Sequence, residues 1–287
     1  MLIPGIIWAV LFCYAPMYGV LIAFKDYKPS AGVLGSEWVG FKHFVTLFTS
    51  DFLRIMRNTL TISLSNFAVG FPLPIIFALL ISGIDNRAFR KTAQTLSYVP
   101  HFVSWVVVSA IAYVFLAPAA GHINVLLRNL GLVERSIGFF SKGQLFIVML
   151  VGLNIWKGTG WAAIIYFAAI AGIDANLYEA ATIDGASPFQ RVIYIKLPSI
   201  TPTITIMLIL SISSILNAGF EQQMVMANDL VWDWADVLDT YSYRYGLALL
   251  RYSYGSAVGF FRSFVAMILL FSSNALARRF FGYSLYS

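Results

Sequence analysis

Six stretches of this chain are each long and apolar enough to cross a bilayer, and that limits what it can fold into before any motif is read. A helical span needs about 20 mostly apolar residues, because in hydrocarbon every backbone N–H and C=O must be satisfied within the segment. Residues 2–24, 60–84, 96–116, 145–171, 200–218 and 258–276 meet that test. Each exceeds strand length, and none alternates apolar with polar residues as a barrel strand does. The sequence therefore predicts an all-α integral membrane protein, a polytopic bundle of six transmembrane helices forming one domain over residues 1–287. Composition agrees: 59% of residues are hydrophobic and 11% charged, against about a quarter charged in soluble chains. The competing reading of residues 2–24 is a removable signal peptide, but no basic leader or small-residue cleavage site accompanies it. We expect a further N-terminal tail ahead of this span.

Between the fourth and fifth spans lies a polar segment, about residues 174–199, with unusually regular punctuation. Asp174 can cap a short helix through Tyr178, Glu179, Ala180 and Ala181. After Asp184, Gly185 permits the backbone reversal that ends it, and Ala186 follows. Ser187, Pro188 and Gln190 then read as a fresh helix start, with a reciprocal serine–glutamine cap. Leu197-Pro198 and Pro202 bracket the entry to the next span. Helix, turn, helix outside the bilayer is the expected result.

Glu179-Ala180-Ala181, three residues, Gly185, nine residues and Ile195-Lys196-Leu197-Pro198 together resemble the docking-loop signature of ABC importer permeases, at every position and both spacings. The competing reading is an interfacial linker with ordinary caps. The resemblance implies a type I, MetI-like fold in which the first short helix couples the spans to a cytoplasmic ATPase. A narrower similarity, to the carbohydrate and oligosaccharide branch and to relatives of the maltose-type inner permease, rests on residues 236–244 and 252–263 and on residues 17–27 of the first span. It implies separate ATPase subunits, a second permease subunit in a heterodimer, an extracytoplasmic sugar-binding protein, and residence in a bacterial cytoplasmic membrane. The maltose-type subunit carries extra helices and a large external domain that this chain lacks.

The net charge of +6 does not point to nucleic acid, since no basic stripe or aromatic-interleaved patch appears. It fits orientation by the positive-inside rule. Arg87, Arg90 and Lys91, then Arg191 and Lys196, then Arg278 and Arg279 mark three alternate segments as cytoplasmic. The opposite side carries Glu221, Asp229, Asp233, Asp236 and Asp239, although Lys25, Lys28, Lys42, Arg54 and Arg57 also fall there. On that side an amphipathic stretch near 41–52 and a short helix over 122–130 ended by Gly131 are expected; Gly70, Pro72 and Pro74 predict a kink in the second span.

Candidates for a substrate path are few. Lys157 lies mid-span among Asn154, Gly158, Thr159 and Gly160, where a basic group costs about 2.5–3.5 kcal/mol. It either lines a helix break facing the solute or pairs structurally, for example with a backbone carbonyl. Asn217 and Glu221 end the fifth span and are sugar ligands, a gate, or an interfacial cap. The tyrosines and tryptophans after residue 230 suit an interfacial belt and a landing surface for a binding protein. His101 and His122 are isolated, and the single Cys13 offers no disulfide or metal framework. No cofactor, metal or catalytic set is expected, and no phosphate-cradling Gly-x-x-x-x-Gly-Lys-Ser/Thr loop is present. A secondary transporter would want intramembrane carboxylates and an inverted repeat, and an intramembrane enzyme would want clustered ionisable groups. A permease of the same architecture for amino acids or phosphate is the remaining alternative. The orientation is directly testable. On a Cys13→Ser background, a cysteine at Ser187 or Ser284 should resist impermeant thiol reagents in intact cells, and rapid labelling from outside would reverse the topology.

Overall fold

The computed structural model describes residues 2–49 and 51–286. Helices α1 (Ile3–Phe24) and α2 (Phe52–Ser82) are followed by a bent pair, α3 (Arg87–Phe102) and α4 (Trp105–Leu116), whose axes meet at 101°. Then come α5 (Gly143–Ala171), the short α6 (Ala175–Ile183), α7 (Pro188–Ser213) and α8 (Tyr252–Phe281). By length and hydropathy, α1, α2, α5, α7 and α8 can each cross a membrane, and the bent pair adds a further crossing only if it counts as one span.

Four departures from the sequence expectation have local causes. The third apolar stretch is not one straight helix. Pro100 lies in the last turn of α3, Val103 is extended, and Ser104 Oγ accepts the Val107 N–H at 3.4 Å to start α4 in a new direction. Helix α2 begins well before residue 60, which takes Arg54 and Arg57 into the helix; the expected kink is a stop at Gly70 and a restart at Pro72. The second short helix of the polar segment is not separate, because it runs through a wide turn at Val192–Lys196 straight into α7. Finally, α5 is unbroken over 29 residues, so Gly158 and Gly160 mark no helix break. Gly160 serves packing instead: a Cβ there would stand 2.0 Å from the Ser97 carbonyl oxygen of α3.

On one face, residues 25–49, 117–142 and 214–251 fold into a cap over the helix ends. Strands β1 (Lys25–Asp26) and β2 (Glu37–Trp38) pair antiparallel, with Lys25 opposite Trp38. The amphipathic stretch becomes helix Lys42–Thr49, and the short helix spans His122–Asn129, closed by Gly131 at φ +68°. Two side chains of α2 hold the cap down. Buried Asn58 donates through Nδ2 to the carbonyls of Asp233 and Asp236 at 2.8 and 2.9 Å. Thr59 Oγ1 accepts the Leu238 N–H at 3.0 Å. Around them pack Leu47, Ile55, Leu216, Leu238, Tyr241 and Val258.

Asp236 is fully buried beside Arg244, with Arg54 at 3.7 Å and the Thr240 hydroxyl donating at 2.8 Å. Burial pushes its carboxyl above the usual range, against the pull of Thr240, Arg244 and Arg54. Removing one partner of a buried ion pair costs several kcal/mol. Asp236→Ala should therefore destabilise the detergent-solubilised protein by about 3–5 kcal/mol, read as a fall in thermal midpoint. Asp236→Asn should cost less, since burial already disfavours the charge; equal midpoints for wild type and the Ala form would refute the role.

Candidate functional site

The face opposite the cap carries the turn that the sequence singled out. Asp174 Oδ1 accepts the Asn176 N–H at 3.0 Å and opens α6. Gly185, at φ +72°, closes it: its N–H reaches the Thr182 carbonyl at 3.1 Å, and the Ala186 N–H reaches Ala181 at 2.8 Å. Space is not the reason for glycine here, because an added Cβ would meet nothing within 4 Å. The left-handed backbone is the reason. Ser187 and Gln190 then cap each other, Ser187 N–H to Gln190 Oε1 at 2.7 Å and Gln190 N–H to Ser187 Oγ at 3.3 Å.

The outer surface of this turn is Glu179, Ala180, Asp184 and Gly185, with Tyr178, Ala181 and Ala186 partly covered and Leu197 and Pro198 exposed further on. Burial raises the Tyr178 phenol above its ordinary range. Ile183 is 87% exposed and Phe189 71%, so an apolar knob stands beside two carboxylates. Behind it, Lys196 Nζ donates to Ser82 Oγ at 2.9 Å, tying the start of α7 to the end of α2. The knob is thus presented on a braced base.

A cavity of about 390 Å3 lies among α2, α5 and the end of α7. Asn154 and Asn217 both line it, with Ser63 and Asn66 on α2, Ser211 on α7 and Gln222 beyond. Among the described residues, the buried Ser63 Oγ, Asn66 Oδ1 and Asn154 Nδ2 find no hydrogen-bond partner. Gly158 contributes bare backbone to the wall, with open space where a side chain would be. Such a lining offers donors and acceptors without charge, which suits a solute rich in hydroxyls.

Two candidates are not brought there. Lys157 Nζ donates to the His101 carbonyl at 2.5 Å and stands 5.7 Å from the Trp105 ring centre. It therefore places a cation on the C-terminal end of α3, where the helix dipole favours it. His101 itself stacks on Trp161 at 4.4 Å, and His122 Nδ1 meets the Val114 carbonyl at 3.0 Å. Glu221 is exposed at the first turn of helix Glu221–Met226, while its neighbour Gln222 lines the cavity. Sequence reasoning missed Ser63, Asn66, Ser211, Ser214 and Gln222. The pairs 63/66 and 211/214 sit three residues apart, the spacing that puts polar groups on one helix face; that signal was readable.

Comparisons with known proteins give the family. Residues 70–283 match the family described as binding-protein-dependent transport system inner membrane component, and the chain belongs to it. It is 46% identical over 281 residues to protein LplB of Bacillus subtilis (strain 168), covering 98% of this chain and 88% of that protein. It is 42% identical over 281 residues to the polygalacturonan/rhamnogalacturonan transport system permease protein YteP of the same strain, covering 98% and 87%. A chain in the crystal structure of a bacterial alginate ABC transporter, in complex with an alginate pentasaccharide-bound periplasmic protein, superposes with a TM-score of 0.89. That match has 38% identity and covers 99% of this chain and 95% of that one. A chain of the MetNI methionine ABC transporter, at 16% identity and TM-score 0.55, shares the fold. The protein is thus a multi-pass inner-membrane component of an ABC importer.

The turn gives a test independent of any solute. Gly185→Val forces a β-branched residue into a left-handed backbone, so transport should be abolished while the subunit still inserts. Uptake at the wild-type rate would show that the turn is not needed in this form.

Proposed function

We propose that this chain is the permease subunit of an ATP-driven importer for an oligosaccharide or polysaccharide fragment. An extracytoplasmic binding protein delivers the sugar to the cap face, and the solute passes along the cavity between α2, α5 and α7. The observation that carries the reading is the set of unpartnered buried groups, Ser63 Oγ, Asn66 Oδ1 and Asn154 Nδ2, on one uncharged cavity wall. Hydroxyls of a sugar satisfy such groups in turn as it moves. The relatives support the solute class, since YteP is named for polygalacturonan and rhamnogalacturonan and the superposed transporter for alginate.

The bent pair α3–α4 counts as one crossing in this reading, which makes six spans and places residues 174–199 in the cytoplasm. Helix α6 is the coupling helix, seated on a separate ATPase subunit through Ile183, Glu179 and Asp184. ATP hydrolysis occurs on that subunit, and a second permease subunit completes the path. Physically the work is a population shift: ATP and the loaded binding protein favour the outward-open arrangement by several kcal/mol over the resting one.

Glu179 separates coupling from mere helix stability. A charge pair across such an interface fixes register more than it adds affinity, whereas a carboxylate near a helix end contributes only about 0.3–1 kcal/mol. In proteoliposomes Glu179→Lys should remove sugar-stimulated ATP hydrolysis, with the binding protein's own sugar affinity unchanged and Glu179→Gln intermediate. Full stimulation in the Lys form sinks a coupling role for this side chain. In the same system Asn154→Leu should lower sugar uptake at least tenfold while basal hydrolysis persists; undiminished uptake would remove the cavity from the path.

A further inference from the structure

We propose a second sugar subsite on the cap face, in a cavity of about 680 Å3 between the end of α1, residues 220–247 and the first turns of α8. It rests on the oligosaccharide reading above, but different residues build it. Its volume falls in the range of about 300–1,000 Å3 typical of small-molecule sites. Tyr27 and Tyr252 meet edge to face at 6.0 Å on one wall, and Phe220 and Tyr243 at 5.1 Å on another. The Tyr27 N–H is held to Ser253 Oγ at 2.9 Å, which fixes the first pair against α8.

Between the aromatic walls, Arg262 is paired with Asp239. This pair decides the ligand. Aromatic faces bind the C–H surface of a pyranose, while the carboxylate accepts from one hydroxyl and the guanidinium donates to another. The two charges cancel, so the pair reads hydroxyls, on a neutral sugar unit or a uronate alike, and offers no net charge to hold a phosphate. An alkyl chain leaves the pair's remaining hydrogen-bonding capacity unmet.

A glycine points the same way. Gly255 is explained by packing, since an added Cβ would lie 2.5 Å from the Gly246 Cα. Gly259, one turn further along α8, is not: a Cβ there meets nothing within 4 Å, and it lines the cavity. A glycine in a helix interior weakens the helix, and here the room it leaves belongs to the site. The segment 219–222 borders both cavities, with Gly219 and Gln222 lining the inner one and Phe220 the outer.

Gly259→Leu fills the outer cavity from open space. The test is equilibrium dialysis of the purified complex with its ATPase and partner permease in nanodiscs, binding protein omitted, with radiolabelled maltotriose, galactotriose and trigalacturonate. At least one of these trisaccharides should bind, and Gly259→Leu and Tyr252→Ala should each lower its affinity tenfold or more. Should the leucine form fail to assemble, the Tyr252→Ala result decides. Trisaccharide binding unaffected by the variants, or no trisaccharide binding at all, overturns the subsite, as does a phospholipid retained by wild type and lost in Gly259→Leu. Whole-cell uptake separates the two readings: uptake without variant-sensitive binding removes only the subsite, and variant-sensitive binding without any uptake removes only the transport reading.

Discussion

A polar group in a bilayer has no water to fall back on, and this fold follows from where each such group finds a partner. Asn58 and Thr59, buried on α2, satisfy the carbonyls of Asp233 and Asp236 and the N–H of Leu238. Without those bonds the segment 231–242 would place bare backbone over an apolar helix end, at about 1–3 kcal/mol for each orphaned group. The apolar packing of Leu238 and Tyr241 on Ile55 and Leu216 comes with them. Lys157 obeys the same rule deeper in the bundle, where the His101 carbonyl at the α3–α4 bend takes its proton donor. One constraint thus accounts both for the hold on the cap and for the place of Lys157 beside the bend.

Charge follows the same logic with a different result on each face. Every ion pair among the described residues joins side chains of the cap and its supporting helix ends, from Arg54 with Asp51, Asp233 and Asp236 to Arg262 with Asp239. Lys25 is bonded to the carbonyls of Val33, Leu34 and Ser36, and Arg57 lies 4.5 Å over the Trp234 ring. These cations blurred the charge bias in the sequence, and most of them are spent within the cap. On the opposite face Glu179 and Asp184 stand exposed on the α6 turn. That asymmetry suits a braced outer surface and an inner surface that meets partners.

What was legible in the sequence was what local chemistry decides. The caps at Asp174 and Ser187 and the reversal at Gly185 follow from residue type alone, and so do the one-residue interruption between Gly70 and Pro72 and the helix closed by Gly131. What was not legible depends on a neighbour far along the chain. Gly160 looks like a helix breaker until Ser97 is seen against it, and Lys157 looks like a solute contact until α3 ends beside it. The apolar run through Pro100 gives no sign of the bend, because proline is tolerated in membrane helices and the turn depends on Ser104 starting a new one. Asn154 and Asn217 were found singly as polar residues near apolar spans; their meeting with Ser63 and Asn66 is a product of how α2, α5 and α7 pack.

The cavity also differs from the cap in what it leaves undone. Within the cap, Asn58 makes good use of both its amide oxygen and its nitrogen; along the cavity, Asn66 and Asn154 each keep one of those atoms unmatched. That arrangement suits the transport path proposed above. Groups fully satisfied by the protein have nothing to offer a solute, and a site of many matched charges would hold it too tightly to release. A wall of scattered neutral donors and acceptors, each worth about 0.5–1.5 kcal/mol net when satisfied, binds a hydroxylated solute weakly at any one place. In the proposed reading, weak, divisible binding of this kind lets an external energy source, acting through the distant α6 turn, decide the direction of travel.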